Sequence, residues 1–250
     1  MVELFDERVG ETAVIHAVPA GKYEHPLPTV FFYHGYCSSK EVYAYFGYAL
    51  AKAGFRVILP DADQHGARYH GDEQRRLAQF WDILKSNIDE LPALRTHFAQ
   101  RGLIDGARVG VAGASMGGMT TLGALTRYPW IAAAASLMGS GSFTSLSRTL
   151  FPPLDAHGQP LADAQHAAYL APLADDEFER QWDKLAERPL LLWHGEADDV
   201  VPAAESLRLA QVLRERGLAE RLTVAVEAGV KHRITPAALD ACVGFFRVAL

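Results

Sequence analysis

Residues 107–129 read ARVGVAGASMGGMTTLGALTRYP, and the parsing of this stretch decides the fold. Residues 109–112 form a short apolar, partly β-branched run of the kind that makes a fully buried strand. Residues 116–128 have the composition of a helix, which Pro129 ends. Between them stands Gly113-Ala114-Ser115-Met116-Gly117, a G-x-S-x-G pattern at a strand-to-helix junction. A serine so placed sits on a sharp turn, and the positions two before and two after it must be small. Its Oγ is then presented above the sheet, and the following helix N-terminus offers unpaired N–H groups and a positive dipole end. Such a pattern also arises by chance in a chain rich in Gly and Ala. The setting favours a nucleophile, and the test is whether an acid and a histidine follow in a workable order.

They do. The apolar run 190–193 (LLLW) leads into His194-Gly195-Glu196-Ala197-Asp198-Asp199, and the run 222–226 leads into Gly229-Val230-Lys231-His232. Acid and histidine each fall just past the end of a parallel strand, where ligand sites of open α/β sheets lie. A serine hydroxyl is a weak nucleophile until an imidazole takes its proton, and a carboxylate fixes that imidazole's tautomer. Asp198 and Asp199 are adjacent, and chemistry alone does not choose between them. His232 competes with His34, His65 and His194, but it alone follows the acid. His34 is expected to organise an oxyanion turn and His194 to orient the acid loop. The developing oxyanion needs two N–H donors, for which Met116 and Tyr36 are the candidates.

Working outward, residues 2–5 and 12–17 are expected as antiparallel opening strands, 29–33 (TVFFY) and 55–59 (FRVIL) as buried strands, and 131–137 as another. Ser38 and Glu41 have capping-box spacing, so a helix is expected from there to about Ala53, with Gly54 just past its end. A second helical pattern runs from Asp72 towards Gly102 with Leu77, Phe80, Trp81, Leu84, Ile88 and Leu91 on its apolar face, and Pro92 should kink or divide it. Helices are also expected near 204–216 and 236–248. The alternation implies a parallel sheet with right-handed crossovers. It stalls over residues 140–188, which are expected to form a lid: an apolar first part (Phe143, Leu146, Leu150, Phe151, Pro152, Pro153) over Ser115, and an acidic second part (Asp175, Asp176, Glu177, Glu179) facing water.

The 250 residues suit one domain, 49 % hydrophobic and 22 % charged. A net charge of −6 without a basic block argues against nucleic acid or an anionic membrane as partner. No secretory signal or membrane span is visible, and with only Cys37 and Cys242 a cytoplasmic location is expected. Both cysteines are expected as small buried hydrophobes. Asp61-Ala62-Asp63-Gln64-His65 has metal-ligand residue types but reads better as a turn, with Arg68 available to pair with a carboxylate. The stripe from Glu41 to Tyr48 is expected to be core, with Tyr43 in reach of the pocket.

The segments FYHGYCSSKEVYAYF, GASMGGMTTLGA, MGSGSFTSLSR, RPLLLWHGEADDVVPAAESLRL and HRITPAALDA carry a resemblance that spans nearly the whole chain. The chain resembles small bacterial carboxylesterases of the α/β-hydrolase superfamily, in its prolyl-oligopeptidase and dienelactone-hydrolase-like branch. The resemblance implies an α/β-hydrolase fold, a mostly parallel sheet of about eight strands with flanking helices and a short helical lid. It implies hydrolysis of small-molecule esters with short acyl groups through an acyl-serine, without cofactor or metal. Carried over by position, Ser115 is the nucleophile, His232 the base and, through the pattern H-G-x-x-D-x-x-V-P, Asp198 the acid. Tyr36 and Met116 supply the oxyanion hole, and Cys37, Met138, Phe143, Phe151 and Val200 are the candidate pocket residues. A peptidase or thioesterase using the same triad, or a non-catalytic receptor on this fold, are the competing functions.

Overall fold

The computed structural model describes residues 1–155, 157–186 and 188–250. One eight-stranded sheet runs through it in the order β1-β2-β4-β3-β5-β6-β7-β8. β1 (Val2–Val9) and β2 (Thr12–Pro19) form an antiparallel hairpin, and β2 is antiparallel to β4 (Arg56–Pro60). From β4 onward, β3 (Leu27–Tyr33), β5 (Ile104–Ala114), β6 (Ala133–Leu137), β7 (Leu190–Gly195) and β8 (Leu222–Glu227) are all parallel. Parallel strands require crossovers, and these place helices on both faces. α1 (Ala44–Lys52) follows β3; α2 (Glu73–Ala78) and α3 (Phe80–Gln100) follow β4; α4 (Met116–Arg127) follows β5. α5 (Phe143–Leu146), α6 (Asp163–Ala174) and α7 (Trp182–Ala186) lie between β6 and β7, and α8 (Ala204–Glu215) and α9 (Pro236–Ala249) complete the chain.

The period of two along β3 divides the core. Phe31 and Tyr33 point into a layer with Leu91 and Phe98 of α3, Leu122 and Leu125 of α4 and Leu209 of α8. Val30 and Phe32 point the other way, onto Phe46 and Leu50 of α1 and Phe246 of α9. Phe31, Phe32 and Phe246 are fully buried, each contributing about 2 kcal/mol by leaving water. Burial on both faces is why these strands read as continuous apolar runs instead of alternating ones.

Four expectations are corrected. The helix expected from Ser38 begins only at Ala44, because the Lys40 N–H donates to Asp61 Oδ1 (2.9 Å) and holds the preceding residues in turns; the Ser38 hydroxyl caps nothing. Pro92 does not divide its helix: α3 runs through it, and the break falls at Gln79. A proline at 92 withdraws the N–H that would reach Ile88 O, and the Tyr128 hydroxyl donates to that carbonyl instead (2.9 Å). Leu77, placed on the apolar face, lies in α2 and is exposed. Within 140–188, of which residues 156 and 187 lie outside the described set, the acidic part does not simply face water. Asp176 and Glu177 are buried; Asp176 takes Arg127 Nε at 2.9 Å, and Glu177 accepts from the Thr144 N–H. Asp175 is exposed. A net-acidic run thus hides two carboxylates, one tying the segment between β6 and β7 to α4 and the other joining that segment's later part to its own α5.

Candidate active site

Ser115 stands between β5 and α4 with φ 57° and ψ −117°, a backbone region that side chains rarely occupy. Two features hold it there. Its N–H donates to Leu137 O (2.9 Å), locking the turn to β6. The turn is also too tight for any side chain at its flanks: a Cβ at Gly117 would strike Tyr33 O, and one at Gly113 would strike the backbone of Gly117. The strain raises Ser115 Oγ above the carboxyl ends of the strands.

The loops after β7 and β8 converge on it. His232 Nε2 lies 2.8 Å from Ser115 Oγ, and His232 Nδ1 lies 2.7 Å from Asp198 Oδ2. A carboxylate only accepts, so Nδ1 carries the proton and the Nε2 lone pair faces the serine hydroxyl. Asp198 is buried, and its Oδ1 accepts from the N–H groups of Val200 and Val201 at 2.9 Å each. Burial alone would raise the Asp198 carboxyl, but hydrogen bonds from His194, His232 and Val200 hold it far below the usual carboxylate range. His194 sits between Ser206 Oγ and Val201 O (2.8 Å each), with Nε2 3.3 Å from Asp198 Oδ2, which fixes the acid loop. Asp199, the alternative acid, is exposed and pairs with Lys231 (2.9 Å), far from any imidazole role.

Two buried, neutral imidazoles support the turn after β3. His34 Nδ1 donates to Gly35 O (2.7 Å), and its Nε2 accepts the Ala62 N–H (3.0 Å). His65 Nδ1 donates to Asp63 O (2.7 Å), and its Nε2 accepts the Cys37 N–H (3.0 Å). Asp61 joins them by taking the backbone N–H groups of Lys40 and Ala67 and the Lys40 ammonium. The metal-like run 61–65 is therefore a brace, as the turn reading expects, and among the described residues no cluster of three potential ligands surrounds a metal site. Arg68 reaches Asp63 at 3.6 Å, but its main partner is Glu90, gripped at 2.7 and 2.8 Å. Tyr36 and Met116 carry backbone N–H groups without hydrogen-bond partners among the described residues.

Burial lowers His34 to about 4, and His16, buried under the β1–β2 hairpin, also to about 4; His65 is lowered by burial too. An unfolded histidine titrates near ~6.5, so between that pH and about 4 the unfolded chain binds protons that the folded chain refuses. Stability is full above that window and falls as pH drops through it. Melting at pH 7 and pH 4.5 should differ by roughly 5–10 °C, with proton uptake on unfolding. A melting temperature flat across this range would contradict the neutral-imidazole brace.

A cavity of about 230 Å³ opens beside Ser115 and His232, walled by Tyr43, Tyr45, Met138 and Ile234, with Arg233 at its edge. Of the candidate pocket residues only Met138 lines it. Phe143 is fully buried against Trp81, and Phe151 stacks on Phe80 (4.3 Å) and packs on Tyr36 (4.9 Å), so Phe151 backs the turn after β3. Val200 is exposed and contributes its N–H to Asp198. Cys37 has φ 58° and is exposed, against the buried-hydrophobe expectation that Cys242 meets. The expected aromatic core stripe holds for Phe46 and for Tyr43, which packs on the core and also reaches the cavity as expected; Tyr45 and Tyr48 are exposed, and Tyr45 and Val42 join the cavity wall. Three larger hollows, near Arg127, between β8 and α9 and beside Arg108, are lined by neither serine nor histidine.

Residues 46–241 match the prolyl oligopeptidase family. The chain is 51 % identical over 250 residues to "Esterase YjfP" of Escherichia coli (strain K12), covering 99 % of each. It is 36 % identical over 257 residues to "Putative esterase YitV" of Bacillus subtilis (strain 168), covering all of both. The crystal structure of TT1662 from Thermus thermophilus superposes with a TM-score of 0.76 at 23 % identity, over 99 % of this chain and 98 % of that one, which shows the shared fold. No helix among the described residues is long and apolar enough to cross a membrane. The chain belongs to the prolyl oligopeptidase family and is a serine hydrolase of the α/β-hydrolase fold.

Proposed function

We propose that the protein is a carboxylesterase that cleaves short-acyl esters through an acyl-serine on Ser115. The observation that carries the reading is the continuous chain from Asp198 through His232 to Ser115 Oγ, with links of 2.7 and 2.8 Å. His232 Nε2 takes the hydroxyl proton as Oγ attacks the ester carbonyl. The tetrahedral oxyanion meets the N–H groups of Tyr36 and Met116, which need break no bond to serve it. His232 then gives the proton to the departing alcohol. A water activated by the same imidazole hydrolyses the acyl-serine. The names of the esterase relatives agree with this chemistry.

The acyl-length expectation now rests on the cavity. At about 230 Å³ it is smaller than typical ligand pockets, and aromatic walls limit it. Each further methylene gains about 0.8 kcal/mol only where room exists, and overpacking costs more than that. With p-nitrophenyl esters from C2 to C12, kcat/KM should peak at roughly two to four carbons. An optimum at C8 or above would overturn this reading. Because Phe151 supports Tyr36 and does not line the cavity, Phe151→Ala should lower kcat without moving the optimum, whereas Tyr45→Ala should move it upward.

A further inference from the structure

Arg233 follows the base directly and borders the cavity that holds Ser115 and His232. It is the one permanently charged residue on that wall. Its backbone N–H donates to Lys231 O (2.8 Å), which fixes the start of the side chain. The guanidinium itself has no hydrogen bond or ion pair among the described residues. Neighbouring cations differ: Lys231 is neutralised by Asp199 at 2.9 Å, and Lys40 by Asp61 at 3.1 Å and by Glu41. No carboxylate lines the cavity beside it.

Apolar esters give a guanidinium at this place nothing to bind. A substrate with an anionic group does, because a planar five-donor fork matches the oxygens of carboxylate and phosphate. We propose that Arg233 is a specificity-determining residue that binds an anionic group on the ester, a carboxylate or a phosphate, at the rim of the cavity. The proposal rests on the esterase reading and adds to it a substrate class: short esters carrying negative charge a few atoms from the scissile carbonyl. The anion is held by Arg233, the carbonyl sits at Ser115, and the cavity wall limits what lies between.

Two matched pairs separate the sources of charge. Monomethyl succinate against methyl butyrate tests a carboxylate in the acyl half. Acetylated glycerol 3-phosphate against glycerol monoacetate tests a phosphate in the alcohol half. Wild type should prefer the anionic member of at least one pair by about five- to tenfold in kcat/KM, mainly through KM. Arg233→Gln should remove that preference while leaving the neutral member within about twofold, and Arg233→Lys should restore part of it. Calorimetric titration of succinate and of inorganic phosphate into wild type and Arg233→Gln reads the same contact without turnover, and the variant should bind about five- to tenfold more weakly. Equal losses on neutral and charged esters, or no preference in wild type, would overturn the proposal, as would anion binding indifferent to the substitution. Failure to hydrolyse any of the four esters would defeat the esterase reading instead, and the titration would then decide Arg233 alone.

Discussion

Ser115→Ala is expected to lower ester turnover by about four to six orders of magnitude while leaving the fold intact. The Oγ makes one hydrogen bond, to His232, so its removal orphans no other buried group. Alanine keeps the Cβ that the position already tolerates at φ 57°, and the strain of the turn is unchanged. What disappears is the atom proposed to form the acyl bond. The N–H groups of Tyr36 and Met116 remain, so residual catalysis over water is expected from them alone. Turnover of p-nitrophenyl butyrate measured beside the melting temperature checks both halves. Activity within tenfold of wild type would end the mechanism.

Asp198→Asn should lower kcat by about 10⁴-fold, and Asp199→Asn by no more than about threefold. The geometry gives a reason beyond lost charge. Asp198 Oδ1 accepts two backbone N–H groups, so the asparagine oxygen must take that place. Its NH₂ is then turned towards His232 Nδ1 and forces that nitrogen to accept. The imidazole proton moves to Nε2, where it faces the Ser115 hydroxyl and cannot receive its proton. Asp199 is exposed and binds only the Lys231 ammonium, so its amide leaves the imidazole untouched. Steady-state kinetics of the two variants on one ester decides between the carboxylates, and greater damage from Asp199→Asn would shift the acid by one residue.

The elbow was legible because its chemistry is local. Gly113 and Gly117 have their sizes dictated by backbone atoms a few ångströms away, and the strand and helix beside them follow from composition. Order along the chain placed Ser115 and His232, and the resemblance chose Asp198. The rest depends on atoms distant in sequence. The helix predicted from Ser38 yields to Asp61, which claims the Lys40 N–H across 21 residues. The division predicted at Pro92 does not occur, and the carbonyl that the proline frees is taken by Tyr128, 36 positions further on. Asp176 reads as solvated until Arg127 is seen beside it. The cavity wall was misread for the same reason: bulky apolar residues in 140–188 suggested a lid over the serine, whereas Phe143 packs against Trp81 and Phe151 against Phe80, and neither lines the cavity. Tyr45, Ile234 and Arg233 were missed, although the contiguity of Arg233 with His232 was a signal in plain view.

The central claim is that one serine among all those in the chain is activated by an imidazole. A fluorophosphonate reacts covalently with such a hydroxyl and ignores ordinary ones, so treatment of the folded protein followed by peptide mass spectrometry tests it directly. The account predicts a single stoichiometric adduct on the peptide containing Ser115, lost in Ser115→Ala and strongly slowed in a variant with His232 replaced by Ala. An unlabelled Ser115, or an adduct that persists in Ser115→Ala, would contradict it.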